Sequence, residues 1–141
     1  MPRVLSMMVV AAGLVLAAPV RDALGQQAPQ TEPSQPSRQE LARAGQRQFI
    51  RCVACHTVTA DAAPLQGPHL EGIVGRKVAG LEGFAYSDAL RAQDFVWDEA
   101  QLDRWLEKPH EDVPGLCLPF MGLRRPQDRA ALIAYLADPA G

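Results

Sequence analysis

The chain has 141 residues, 48% of them hydrophobic, and a formal charge of −2. A balance so near neutral, with no long basic run, leaves no electrostatic footprint for nucleic acid. Three cysteines, an odd number, do not make an ordinary disulfide framework.

Arg3 precedes a stretch from Val4 to Ala18 that is almost wholly apolar, and Ala23-Leu24-Gly25 supplies small residues at a suitable cleavage position. Residues 1–25 therefore read as a signal peptide, which directs the chain to the periplasm or another exported compartment. An uncleaved leader would instead anchor it to a membrane. Residues 26–37 lack large apolar side chains and are rich in Pro, Gln and Ser, so they read as a flexible tether. One domain remains, 38–141, of a size at which a protein core alone is marginal and a bound cofactor would help.

Ser37 and Glu40 have capping-box spacing and open a helix in which Leu41 and Phe49 offer an apolar side. Gly45 lowers helix propensity in its middle, and the expected reason is the close approach of another backbone. The helix leads to Cys52-Val53-Ala54-Cys55-His56. Residues 57–83 hold five glycines and two prolines without sustained periodicity, and predict a loop that needs a surface to wrap. Short helices are expected from Ser87 through Leu90 and from Asp98 through Trp105 and Leu106, the second stopped by Pro109. A final helix starts at Pro126 and sets Leu132, Ile133, Tyr135 and Leu136 along an apolar stripe. No strand pattern competes, and the fold class predicted is all-α.

Cys-x-x-Cys-His is the attachment signal for haem c. Two thioethers on neighbouring pyrroles require sulfurs about a helical turn apart, and a histidine directly after the second reaches the iron from the same turn. Two other uses of such a pair fit this chain less well. A thioredoxin-like redox pair would follow a buried strand, whereas the residues before Cys52 are helical in pattern. A structural zinc site would have to recruit Cys117 with His69 or His110 at irregular long range. Neither accounts for the leader together with the glycine-rich loop. One covalent haem is the expected cofactor.

Between Gly45 and Leu136 the chain resembles the small soluble (class I) cytochromes c. The resemblance runs in order through Gly45-x-x-x-Phe49, the Cys52–His56 motif, Gly67-Pro68-His69-Leu70, Gly75-Arg76-Lys77 and Phe84-Ala85-Tyr86-Ser87-Asp88. It continues through Trp97, Val113-Pro114-Gly115, Phe120-Met121-Gly122-Leu123 and Leu132-Ile133-Ala134-Tyr135-Leu136. It implies crossing N- and C-terminal helices, with shorter helices and loops enclosing one covalent haem. It also implies thioether bonds at Cys52 and Cys55, and His56 as axial iron ligand with the Pro68 carbonyl accepting from its far nitrogen. Arg76, Tyr86 and Trp97 would donate to the haem propionates, and Gly45 and Phe49 would pack against Tyr135.

The resemblance breaks on the other side of the iron. Family members usually read Pro-Gly-Thr-Lys-Met before the Phe, with that methionine as sixth ligand. This chain reads Pro114-Gly115-Leu116-Cys117-Leu118. Met121 preserves thioether chemistry and is ranked first as replacement, Cys117 second and an open iron third, with His110 also nearby. An extended backbone complicates Met121: if Leu118 faces the haem, Phe120 faces with it and Met121 points away. Trp105 stands where a tyrosine usually offers a hydroxyl beside the methionine sulfur. The lysines that usually ring the haem edge are missing, so electrostatic steering toward partners should be weaker.

The function expected is one-electron transfer in the periplasm by a carrier that is not an enzyme, exchanging electrons with an oxidase, reductase or dehydrogenase. The alternative is a five-coordinate or Cys-ligated haem that senses or transforms a gas, peroxide or sulfur compound.

Overall fold

A computed structural model describes residues 35–63 and 65–139. The leader 1–25 and the tether up to residue 34 lie outside the described residues. The folded unit is Gln35–Gly141. Its order is α1 (Arg38–Gln48), a 3-10 turn (Phe49–Arg51), α2 (Asp88–Arg91), α3 (Glu99–Glu107), α4 (Pro109–Asp112) and α5 (Pro126–Ala137). No strand occurs among the described residues, where Lys77 and Val96 make an isolated antiparallel bridge.

The helix starts follow their caps. At α1 the Ser37 hydroxyl accepts from the Glu40 amide, and the Glu40 carboxylate accepts from the Ser37 amide at 2.7 Å. That pair satisfies two of the donors a helix start leaves open. These bonds, the Ser37 backbone amide first, hold the exposed Glu40 carboxyl below the usual carboxylate range. Ser87 caps α2 and Asp98 caps α3, the latter accepting from the Gln101 amide at 2.6 Å. Pro109 does end α3, but it also opens the single-turn α4, because a missing amide proton costs nothing at a first helical position. The sequence reading took it only as a stop.

The core is built where α1 crosses α5, with α3 packed on α5. Gly45 sits at the crossing: a Cβ there would lie 2.6 Å from the Ala131 carbonyl carbon and 2.7 Å from Tyr135 Cβ. The mid-helix glycine is thus the condition for the crossing. Phe49, one turn on, packs against the Tyr135 ring with centroids 5.6 Å apart. Leu132, Ile133, Tyr135 and Leu136 are all buried, joined by Ile73, Val78, Trp97, Leu102, Leu106 and Leu123.

One buried charge had no place in the sequence reading. Arg129 on α5 is only 6% exposed. Its guanidinium meets the Asp103 carboxylate at 2.8 and 3.2 Å and donates to the carbonyls of Leu123 and Arg124. The bond to Asp103 keeps it firmly charged. A guanidinium this buried is tolerable because its donors are met in a fork geometry. It pins α3, α5 and the 119–125 segment together.

Candidate haem-attachment site

The turn that carries the cysteines is set by α1. The Cys52 amide donates to Phe49 O at 2.7 Å, and the amides of Cys55 and His56 donate to Cys52 O at 3.0 and 2.8 Å. Cys52 through His56 is therefore one helical turn, with both thiols and the imidazole projecting from it. Both thiols are half-buried and free, with no bond between them. Burial, the larger influence, pushes the Cys52 thiol up, against the pull of Arg51. The Cys55 thiol lies 3.5 Å from Gln66 Oε1.

His56 is positioned from both sides. Its Nδ1 lies 2.7 Å from the Pro68 carbonyl oxygen, which can only accept, so Nδ1 is the donor and Nε2 is the nitrogen left for another partner. Gly67 backs the ring: a Cβ there would lie 2.8 Å from both imidazole nitrogens. The loop is stitched to the turn by the Gly67 amide on Cys55 O and the Leu70 amide on Thr57 O, each 2.8 Å. An oriented imidazole following two unbonded thiols on one turn is the donor set that covalent haem requires. Glycine at 67 was legible only as a loop residue, because the ring that needs its space lies eleven positions earlier.

Arg76, Tyr86 and Trp97 come from the segments that follow. Residues 75–78 run beside 95–97, with the Trp97 amide on Arg76 O at 2.8 Å and the Val78 amide on Phe95 O at 2.9 Å. Arg76 and Trp97 are therefore backbone neighbours. The Arg76 guanidinium donates to the carbonyls of His69 (3.0 Å) and Glu71, and so closes the 69–76 loop as well. Tyr86 is half-buried with its ring edge-on to Phe84, and Trp97 is buried edge-on to Phe95. His69, in the same loop, has a buried Nδ1 with no partner. Its place in the Gly67–Leu70 motif was read, but nothing in the sequence marked that atom.

The segment after α4 decides the other face. Leu116, Leu118 and Phe120 are half-buried, and Cys117, Pro119 and Met121 between them are exposed. This is the two-residue alternation of extended backbone. It turns both preferred replacements for the sixth ligand outward. Met121 is 78% exposed, and the Cys117 thiol is likewise on the solvent side. Pro119 between them favours that extended backbone at Leu118. Gly122, with φ +96°, then brings the chain against the end of α3, where the Leu123 amide donates to Leu106 O at 2.7 Å. Behind Phe120 the ring of Trp105 stacks at 5.9 Å and 25°, itself edge-on to Trp97. The Trp105 Nε1 is buried without an acceptor. Among the described residues no three His, Cys, Asp or Glu side chains come together to hold a metal ion.

Comparison with known proteins agrees with this geometry. No family model matches the chain. It is similar to a cytochrome c2 of Rhodomicrobium vannielii, 45% identical over 97 residues that cover 69% of this chain and 78% of the relative. A cytochrome c2 of Rhodoblastus acidophilus is 42% identical over 67% of this chain and 89% of its own length. Among solved structures, cytochrome cH from Methylobacterium extorquens superposes with a TM-score of 0.62 at 41% identity, covering 67% of this chain and 95% of that one.

Proposed function

The chain belongs to the class I, small soluble c-type cytochromes, and from that membership and the turn at Cys52 we propose how it holds and uses its haem. It is a single-haem electron carrier and not an enzyme. Cys52 and Cys55 form the two thioethers, and His56 binds the iron through Nε2. When bound, the haem supplies the reversible one-electron couple.

The residues of the chain do the rest. The Pro68 carbonyl fixes the imidazole and raises its basicity, and Gly67 leaves room for the ring. Arg76, Tyr86 and Trp97 serve the propionates, whose charge would be costly to bury without donors. The carrier works in the periplasm, delivered by the leader at 1–25, and its partners are redox proteins of the oxidase, reductase or dehydrogenase kind. Among the described residues no helix is long and apolar enough to cross a membrane. Membrane attachment would come only from an uncleaved leader.

The observation that carries this reading is the 2.7 Å contact of His56 Nδ1 with Pro68 O, which leaves Nε2 free beside two unbonded thiols. Protein matured in cells that attach haem c should keep its colour through acid-acetone extraction and show a reversible one-electron wave by voltammetry. Cys55→Ala should keep one thioether and shift the pyridine haemochrome band to longer wavelength. Colour that extracts from the wild type would refute the attachment.

A further inference from the structure

We infer that the solvent face of α1, running onto the attachment turn, is the surface that docks a redox partner, and that the partner presents carboxylates around an apolar centre. This rests on the single-haem carrier reading above and names the chemistry of its partner. Charge pairing, exposure and position converge on it.

Most cations of the fold are matched by acids. Arg38 meets Glu99, Lys77 meets Asp94, Arg91 meets Asp88, Lys108 meets Glu111 and Arg129 meets Asp103. Arg43, Arg47 and Arg51 make no ion pair among the described residues. Arg47 donates to the Arg43 carbonyl and Arg51 to the Gln48 side chain, both uncharged acceptors. Arg43 shares its end of the helix with Glu40, whose carboxyl it helps to hold down, so the unmatched charge is concentrated at Arg47 and Arg51.

Apolar surface lies beside that charge. Arg43 and Arg47 stand one turn apart on α1 and Arg51 follows in the 3-10 turn; all three are exposed, whereas Gly45 and Phe49 between them are buried. Ile50 is 71% exposed, and Val53, between the two cysteines, 46%. Leu65, also exposed, precedes the Gln66 that touches the Cys55 thiol. An apolar centre beside arginines has the composition of a protein contact, and guanidinium forks match carboxylates two bonds at a time.

Position decides what docks. The face ends on the turn to which the carrier reading attaches the haem, so a surface seated there lies next to the group that exchanges the electron. The lysines missing around the haem edge are answered by arginines before the motif. Steering then falls to a local patch, although the chain as a whole carries −2.

The test uses haem-loaded protein and two electrode coatings as probes, one ending in mixed carboxylate and methyl groups, the other in mixed ammonium and methyl groups. The charge of the whole chain favours ammonium. The patch predicts a stronger, salt-sensitive one-electron wave on carboxylate. Arg47→Gln combined with Arg51→Gln should lower that adsorbed wave about tenfold at low salt. Lys77→Gln combined with Lys108→Gln removes the same charge from matched, exposed pairs and should leave it unchanged. Ile50→Gln should weaken the adsorption that survives high salt, where the apolar centre carries the contact. A wave that prefers ammonium, or one that the two lysine substitutions lower as much as the two arginine ones, would overturn the inference. So would binding to equimolar phosphatidylglycerol–phosphatidylcholine vesicles with no wave on carboxylate, which would give the face to lipid. In each of these cases a reversible wave in free solution keeps the carrier reading standing. Its absence there would overturn that reading instead.

Discussion

The two faces flanking the attachment turn are built on different logic. On the His56 side the turn itself is fixed within a few residues, by the Phe49 and Cys52 carbonyls, and the ring by the loop that follows, at Gly67 and Pro68. On the Leu118 side the segment is positioned by distant elements, through Gly122 against α3 and Phe120 against Trp105. The first face is polar and matched; the second is apolar with one unmatched N–H. A local motif keeps its chemistry as long as its few residues persist, whereas a face assembled from afar keeps its shape while a single substitution changes what it binds.

The strongest way to break that contrast is to fill both glycines. Gly122→Ala combines a left-handed backbone with a Cβ 2.9 Å from the Glu107 carbonyl carbon and 3.2 Å from Leu106 O. It should cost about 3 kcal/mol in denaturant unfolding, since the strain of about 1–2 kcal/mol adds to overpacking. Gly67→Ala should cost about 1–3 kcal/mol by overpacking, because the imbalance falls on a side chain that can tilt. Only Gly67→Ala should also move the reduction potential, because only it displaces His56. Equal potentials in the two variants would erase the distinction between the faces.

A smaller effect sharpens it. In haem-loaded protein two thiols are consumed and Cys117 is exposed, so a thiol reagent should titrate one group per chain without unfolding. Its modification should leave the absorption spectrum unchanged. A blocked Cys117 would place its sulfur on the iron.

The smallest effect lies away from both faces, at the start of α1. Glu40 has its carboxyl held down by the Ser37 cap, so its contribution to stability is full above the ordinary carboxylate value and fades as pH falls through the lowered one. Glu40→Gln should lower the melting temperature slightly at pH 7, and the gap to wild type should close in strong acid. Glu40→Gln should leave the absorption spectrum unchanged.

How much of this was legible follows the same divide. The attachment turn, the capping box at Ser37, the cap at Asp98 and the crossing at Gly45 were readable because each is specified within a few residues or by one telling glycine. The start of α4 was missed because a proline was read only for what it ends. Arg129 was missed because its partner, Asp103, lies on another helix, although its spacing with Leu132, Ile133 and Leu136 marks one face of α5. The inward row at 116–120 was foreseen as a condition of extended backbone, yet Met121 was preferred for its sulfur.

The glycine crossing of α1 and α5 also governs where this chain tolerates changes of length. Docking those helices closes a loop that runs through most of the folded unit, and the entropy of closure rises only by about 0.6 kcal/mol for each doubling of its length. Insertions in the mostly exposed stretch around residues 59–63, which spare the contacts of Gly67 and Pro68 with His56, are therefore thermodynamically cheap, whereas one residue added inside α1 rotates Gly45 off its partner. Divergence among relatives should accumulate as length in the wrapping loop and be held to nothing at the crossing.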